Sequence, residues 1–142
     1  MNIVDAFKAR LLEGDTIFRI VEGAAELAQV KDRPHATPAA FVLVAREVSG
    51  ESERMSGPVL QRMERDVMVV TVIDDKSLPR GGATSDDVEA AKAFVRGRLI
   101  GWEPEGVDEP ITHVSGEISE ARGGYVWHED TFSAPTYLQE QS

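Results

Sequence analysis

Three histidines and one pair of neighbouring carboxylates are the side chains of this sequence whose types could support chemistry. His35, His113 and His128 lie far apart, and no two of them have the i, i+4 spacing that places two metal ligands on one face of a helix. Isolated histidines of this kind are typical of ordinary surface or loop positions. We therefore predict no metal site at the histidines.

Asp74 and Asp75 stand at the end of a predicted strand, where two carboxylates could bind a divalent cation or act as an acid–base pair. A hard cation needs several further oxygen ligands, and the sequence indicates none. Solvation of the strand end is the simpler interpretation. Gly81 and Gly82 are not followed by Lys-Ser or Lys-Thr, so they lack the pattern of a phosphate-binding loop.

Nucleophilic and aromatic residues complete the search for chemistry. The chain has no cysteine, which excludes disulfides, thiol catalysis and cysteine-ligated zinc, and it has no Gly-x-Ser-x-Gly sequence of a serine hydrolase. Trp102 and Trp127 could stack on bases or sugars, but large aromatic side chains more often anchor a core or an interface. Nothing in the sequence indicates an enzyme, and no cofactor is predicted.

The length and composition predict a single domain spanning residues 1–142. The chain of 142 residues carries 25 acidic against 15 basic side chains, a net charge of −10. Its Lys and Arg residues are scattered, so free binding to nucleic acid is disfavoured. No apolar run approaches the ~18 residues of a membrane-spanning helix, and residues 1–15 make a poor signal peptide. We expect the chain to stay in the cytoplasm and to have no membrane partner.

An amphipathic helix over residues 84–104 is the element most clearly marked in the sequence. Its apolar residues recur at intervals of three and four: Val88, Ala91, Val95 and Leu99. Acidic residues come first, while Arg96 and Arg98 come last, as the helix dipole favours. Gly101 can adopt the left-handed conformation that closes a helix, and Pro104 prevents its continuation. We expect the apolar face to cover a sheet.

The rest of the chain predicts one further long helix and up to five strands. The helix spans residues 2–12, a short helix or turn spans 22–29, and the strands span 16–21, 39–48, Leu60–Asp74, 111–118 and 124–132. Residues 133–142 are predicted to be a tail that is flexible or docks on a neighbour. This order predicts an α+β fold, with a mainly antiparallel sheet of four to five strands and two principal helices packed on one face.

Residues 39–48 and Leu60–Asp74 are predicted to pair as a long hairpin whose base lies in the core. Its outer half, where Arg46 and Glu47 face Gln61, is too polar to be buried in a monomer. A hairpin arm of this kind is either a surface for a partner or an arm surrounded by solvent. The sequence leaves both interpretations open.

Five short segments, taken together and in order, resemble one protein family. They are Val21-x-Gly23-Ala24-Ala25-x-Leu27, Pro38-Ala39-Ala40-Phe41-Val42, Gln61 leading into Val67 to Val72, Leu99-x-Gly101-Trp102-x-Pro104, and Gly116 followed by Tyr125-Val126-Trp127-x-Glu129-x-x-Phe132. In this combination the chain is similar to the small tail terminator proteins of long-tailed bacteriophages and prophages. The resemblance covers nearly the whole chain.

The resemblance implies a subunit of a homo-hexameric ring in the virion, at the head-proximal end of the tail tube. Such a ring ends polymerisation of the tube protein, provides the surface to which the neck or head-completion protein docks, and lets DNA pass through its channel. A closed ring needs two different patches on each subunit, and the hairpin and the Trp102 turn are the candidates. The candidate interface residues are Glu47, Arg54, Met55, Gln61, Arg62, Trp102, Glu103 and Trp127.

Solubility is the simplest explanation of the acidity of the chain. With the resemblance, the acidity also suits a channel through which DNA slides without binding, because acidic walls repel phosphate. Two alternatives to a terminator stay open at this stage. One is a neck or tail-completion protein of the phage head–tail junction. The other is a small soluble α/β ligand-binding or enzyme domain, for which a deep pocket ringed by Asp74, Asp75 and a histidine would be the distinguishing observation.

Overall fold

A computed structural model of the chain describes residues 2–30, 34–74, 85–122 and 125–140. Within these ranges the helices are α1 (Ile3–Leu12), α2 (Ala24–Gln29) and α3 (Ser85–Leu99), and the strands are β1 (Ile20–Glu22), β2 (Ala39–Ser52), β3 (Leu60–Asp74), β4 (Thr112–Arg122), β5 (Tyr125–Ser133) and β6 (Thr136–Gln139). Asp75, Gly81, Gly82 and Thr84, named in the predictions above, lie outside the described residues.

The described strands form one mixed sheet of six, in the order β1-β2-β3-β5-β4, with β6 paired to the outer part of β3. β1 runs parallel to β2, whereas the pairs β2–β3, β3–β5, β3–β6 and β4–β5 are antiparallel. The predicted α+β class and the mainly antiparallel sheet are confirmed. The sheet has one strand more than the predicted maximum of five, because the segment that forms β6 was predicted to be a tail.

α1 starts at the predicted place because Asn2 caps it. The Asn2 side-chain oxygen accepts a hydrogen bond from the Asp5 backbone N–H at 2.8 Å. Beyond the helix, the Thr16 hydroxyl donates to the Leu11 carbonyl at 2.6 Å and accepts from the Phe18 N–H at 3.2 Å. These bonds hold the start of the predicted strand 16–21 in a turn, so β1 begins only at Ile20.

α3 carries the buried face that the periodicity predicts. Val88, Ala91, Val95 and Leu99 are all buried, with Val95 and Leu99 at 0% exposure. The helix ends as predicted, because Gly101 has a φ of 85° and the Trp102 N–H donates to the Leu99 carbonyl at 3.2 Å. The next residues are tied to β4, since the Ile111 N–H donates to the Trp102 carbonyl at 2.9 Å.

The two faces of the sheet carry separate apolar clusters. On one face, Phe7 and Leu11 of α1 and Val95 of α3 pack with the sheet residues Val42 and Val69, all at 0% exposure. The prediction that two principal helices share one face is therefore confirmed. On the other face, α2 contributes a smaller cluster: Leu27 packs with Phe41, Val70, Val72 and Trp127. Alternate residues of each strand point to opposite faces, as strand geometry requires.

The β2–β3 hairpin extends well beyond the helices. Its register runs from Ala39 opposite Val72 to Ser52 opposite Gln61, so β2 is longer than the predicted 39–48. The first four residues of β2 are buried, and the residues from Ala45 onward are exposed. The polar outer half of the hairpin is therefore on the surface, as its composition requires.

The predicted tail contains an ordered strand. Leu60 to Met63 of β3 pair with Gln139 to Thr136 of β6, so this segment docks on its own chain. The carboxylate of Asp108 anchors the start of β6 by accepting from the Thr136 hydroxyl at 3.1 Å and the Tyr137 N–H at 2.9 Å. Residues 136–139 were predicted to be flexible or to dock on a neighbour, and both alternatives are wrong for them, because they pair with β3 of the same chain.

Candidate functional site

The first candidate surface is the tip of the β2–β3 hairpin, residues 52–60. The Ser52 hydroxyl accepts hydrogen bonds from the N–H groups of Arg54 and Leu60, at 3.4 and 3.2 Å, and the Arg54 guanidinium donates to the Pro58 carbonyl at 3.3 Å. These local bonds order the turn. They leave the Met55 side chain at 105% of its reference exposure, more than any other exposed large apolar residue that the structure describes.

The second candidate surface is an open pocket of about 660 Å³ between α1 and the turn after α3. It is lined by Ala6, Ala9, Arg10, Trp102, Glu103 and Glu105, among others. Trp102 is half-buried, with its ring 5.7 Å from that of Phe7 and 5.2 Å from the Arg10 guanidinium. We call this the α1–Trp102 pocket. Its aromatic wall is held in place by the core beneath it.

Arg62, a predicted interface residue, is engaged within its own chain. Its guanidinium binds Glu109 in a bidentate manner, at 2.7 and 2.9 Å, and reaches Glu64 at 2.8 Å. Hydrogen bonding to Glu109 and then to Glu64 raises the pKa of Arg62, and the same contact lowers the pKa of Glu109. This pair joins β3 to the loop before β4. Reversing the charge of Arg62 would therefore disturb the monomer.

A buried ionic network lies beside the sheet, between α3, β4 and β5. The Asp130 carboxylate is 1% exposed and accepts from Arg96 at 2.9 Å and from His113 at 2.8 Å. His128 is 2% exposed, and its Nδ1 lies 3.5 Å from the second carboxylate oxygen. The prediction that all the histidines are surface or loop residues is wrong for His128. It is also incomplete for His113, which is partly buried.

Gly116 on β4 leaves the space that this network occupies. A Cβ added at Gly116 would lie 2.7 Å from the Arg96 guanidinium and 2.9 Å from the Asp130 carboxylate. Real Cβ atoms do not approach other atoms this closely, so any side chain here would displace the Arg96 guanidinium or the Asp130 carboxylate from its present position. Burial lowers the pKa of His128 below its ordinary value of 6.5, although the nearby Asp130 acts in the opposite direction.

The comparisons with known proteins decide the family. A model of the family described as phage tail terminator protein matches residues 4–141. This chain belongs to that family. A solved structure, a chain from the virion of a native gene transfer agent (GTA) particle, is similar over 97% of this chain and 100% of that one, with a TM-score of 0.59 and 15% identity. At that identity the likeness shows the fold. No curated protein matches the sequence.

Family membership makes this chain a structural protein of phage-like virions, and the predicted family is confirmed. Among the described residues, no three or more His, Asp or Glu side chains are grouped to hold a metal ion. Asp74 ends β3 opposite Tyr125, and Asp75 lies outside the described residues. None of the described helices is long and apolar enough to span a bilayer.

Apart from Arg62, described above, the predicted interface residues of this chain fall in three places. Glu47, Arg54, Met55 and Gln61 lie on the outer hairpin, where the Gln61 amide donates to the Gly50 carbonyl at 2.9 Å. Trp102 and Glu103 line the α1–Trp102 pocket. Trp127 is 2% exposed and belongs to the core cluster under α2, so its side chain is not available to a partner in this fold. We retain the first two groups.

The Asp130 network escaped prediction, although the sequence carries one signal for it. In β5, His128, Asp130 and Phe132 alternate, so they share a face, and Phe132 is an expected core residue. Polar residues on a core face imply buried polar groups with partners. Their partners come from α3 and β4, which are distant in sequence, so no local spacing of residues indicates them.

Proposed function

We propose that this chain assembles as a ring of six copies on the head-proximal end of a phage-like tail tube. There the ring ends addition of tube protein and offers a docking surface to a neck or head-completion protein. The observation that carries the proposal is the match of the tail terminator family over residues 4–141. The likeness in fold to a chain of a gene transfer agent virion agrees with it.

Two different exposed surfaces on one subunit support assembly into a ring. The hairpin tip and the α1–Trp102 pocket differ in shape, since one is a protruding turn and the other is a cleft. An interface between unlike patches is heterologous, and it forms a closed ring when the rotation between subunits closes. We assign the hairpin tip to one side of each subunit contact and the pocket to the other.

We further propose that the channel of this ring passes DNA without binding it. The net charge of −10 on each subunit disfavours attachment to phosphate, because tight binding requires neutralisation by Lys and Arg. The ring thereby serves as a conduit that neither reads sequence nor retains the genome.

Native mass spectrometry of the purified protein over a range of concentrations, followed by negative-stain imaging, tests the assembly. Rings of six copies, free or on the ends of tail tubes, are the expected result. A companion assay adds the protein to polymerising tube protein and measures tube length. Tubes that keep growing at both ends in excess protein would contradict the capping function.

A further inference from the structure

We propose that Met55 of one copy inserts into the α1–Trp102 pocket of the next copy, with Arg54 against the acidic rim of that pocket. This inference rests on the proposed ring and specifies the contact that closes it. The partner is thus a second copy of this chain. The contact would repeat around the ring, because each copy carries one tip and one pocket.

Met55 has the properties of a binding knob. It is fully exposed, and it stands on a turn whose backbone is held by Ser52 and by the Glu53 N–H, which donates to the Leu60 carbonyl at 2.7 Å. An ordered turn loses little conformational entropy on binding. A fully exposed methionine that enters a pocket removes a long apolar side chain from water, which favours association.

The pocket suits a methionine in both shape and chemistry. Ala6 and Ala9 on α1 have small side chains, so the pocket stays open beside the Trp102 ring. Thioether sulfur atoms make favourable contacts with aromatic rings. Because Trp102 packs on Phe7, at 5.7 Å, and under Arg10, at 5.2 Å, its ring is held in place before a partner arrives.

The charges beside the knob and around the pocket are complementary. Glu13, Glu103 and Glu105 line the pocket, against the single cation Arg10, which lies 3.5 Å from Glu13. Arg54, next to Met55, donates to a backbone carbonyl and pairs with no carboxylate in the described part of the chain. An unpaired guanidinium beside the knob therefore meets an acidic rim, which favours this orientation of the two copies.

The tip cannot fill the pocket of its own chain. The Arg65 side chain donates to the Gly106 carbonyl at 3.3 Å, which places the pocket loop near the middle of β3. The end of β3 at Leu60 is five residues further out, or about 16 Å by the rise of a strand, and Met55 lies beyond it. The contact must therefore join two copies.

Cysteine cross-linking tests the contact sharply, because the natural chain has no cysteine. We would introduce Met55→Cys and Ala9→Cys together and oxidise the assembled protein with copper–phenanthroline, with and without tail tubes. A ladder of covalent oligomers up to the size of the ring is expected on a non-reducing gel. The pair Met55→Cys with Val114→Cys, which places the second thiol on exposed β4, is the matched control and should give no ladder.

Each result has a distinct meaning. Rings seen by imaging, with a cross-link yield no greater than that of the control pair, would overturn the proposed contact and leave the ring intact. Failure of the natural chain to self-associate, both alone and on tubes, would overturn the ring and this inference together. A ladder from the Met55–Ala9 pair alone supports both.

A second measurement separates the apolar insertion from mere proximity. Met55→Ser should raise the protein concentration needed for half-maximal assembly by at least about tenfold, whereas Met55→Leu should stay close to the natural protein. Arg54→Glu should also weaken assembly, because it brings a carboxylate to an acidic rim. These residues are exposed, so the melting temperature of the monomer should not change. Equal assembly by all three variants and the natural chain would overturn the inference.

Discussion

At the scale of single residues, the Asp130 network shows how a polar cluster can be built into a sheet. Asp130 is 1% exposed, and a buried carboxylate without partners would be costly. Arg96 and His113 supply partners for its Oδ1 atom, while Oδ2 lies 3.5 Å from His128 Nδ1 without a hydrogen bond, and Gly116 leaves space by lacking a side chain. The network ties α3 to β4 and β5. Its members should therefore affect stability rather than assembly.

Gly116→Ala should destabilise the folded monomer by about 1–3 kcal/mol, because the new methyl group would displace Arg96 or Asp130. Gly97→Ala is the matched control. No atom lies within 4 Å of a Cβ added at Gly97, which is in α3, so alanine there should stabilise by about 0.5–1 kcal/mol. Urea unfolding measures both. Equal effects of the two substitutions would contradict the packing argument.

Because of the buried His128, the free energy of unfolding should decrease in mild acid. Burial lowers its pKa below 6.5, with Lys92 and Arg96 acting in the same direction and Asp130 and Glu89 opposing. Below pH 6.5 the imidazole binds a proton in the unfolded chain but resists it in the folded chain. The free energy of unfolding should therefore be highest above pH 6.5 and should decline as the pH falls toward the lowered pKa. The free energy of unfolding of the His128→Gln variant should depend less on pH between about pH 7 and 5. An identical pH dependence in both proteins would rule this out.

At the scale of elements, the local sequence pattern was sufficient to predict those elements that have a periodicity of their own. The buried face of α3 follows from the spacing of Val88, Ala91, Val95 and Leu99, and its end follows from Gly101. β6 is different. Its four residues form a strand because β3 offers them a pairing edge and Asp108 holds their start. Short segments of this kind have no pattern of their own.

A chain ending after Pro135 should lose protection at the outer end of β3. The amides of Leu60–Met63 that face β6 should exchange at least about tenfold faster, while those of Val67 to Val72, paired with β2 and β5, should stay protected. A chain ending after Gln139 retains β6 and is the control. Hydrogen exchange with mass spectrometry makes the comparison. Unchanged exchange in the shorter chain would show that β6 does not stabilise the hairpin.

At the scale of the whole molecule, function depends on surfaces that a single subunit leaves open. The hairpin tip and the α1–Trp102 pocket form the two sides of the contact that we propose, and no other part of the chain that the structure describes covers either of them. The net charge of −10 is a property of the same scale, since it would act through the summed electrostatic field of the ring that we propose.

The assembled ring should bind duplex DNA no more tightly than a typical non-specific Kd of about 10⁻⁴ M, even near 50 mM salt, because its subunits are acidic. Fluorescence anisotropy with a labelled duplex measures this, and a basic DNA-binding protein serves as the positive control. Micromolar binding that weakens steeply with added salt would contradict a non-binding channel.

The α+β class, the long helices and the order of most elements along the chain could be predicted because they depend on periodicities of two and 3.6 residues and on capping residues. The family, too, could be recognised from short segments spread along the chain. Three features depended on the fold: the burial of Trp127, the Asp130 network and the pairing of β6. Each joins residues that are distant in sequence, and such contacts leave no local spacing because they are created when the sheet assembles.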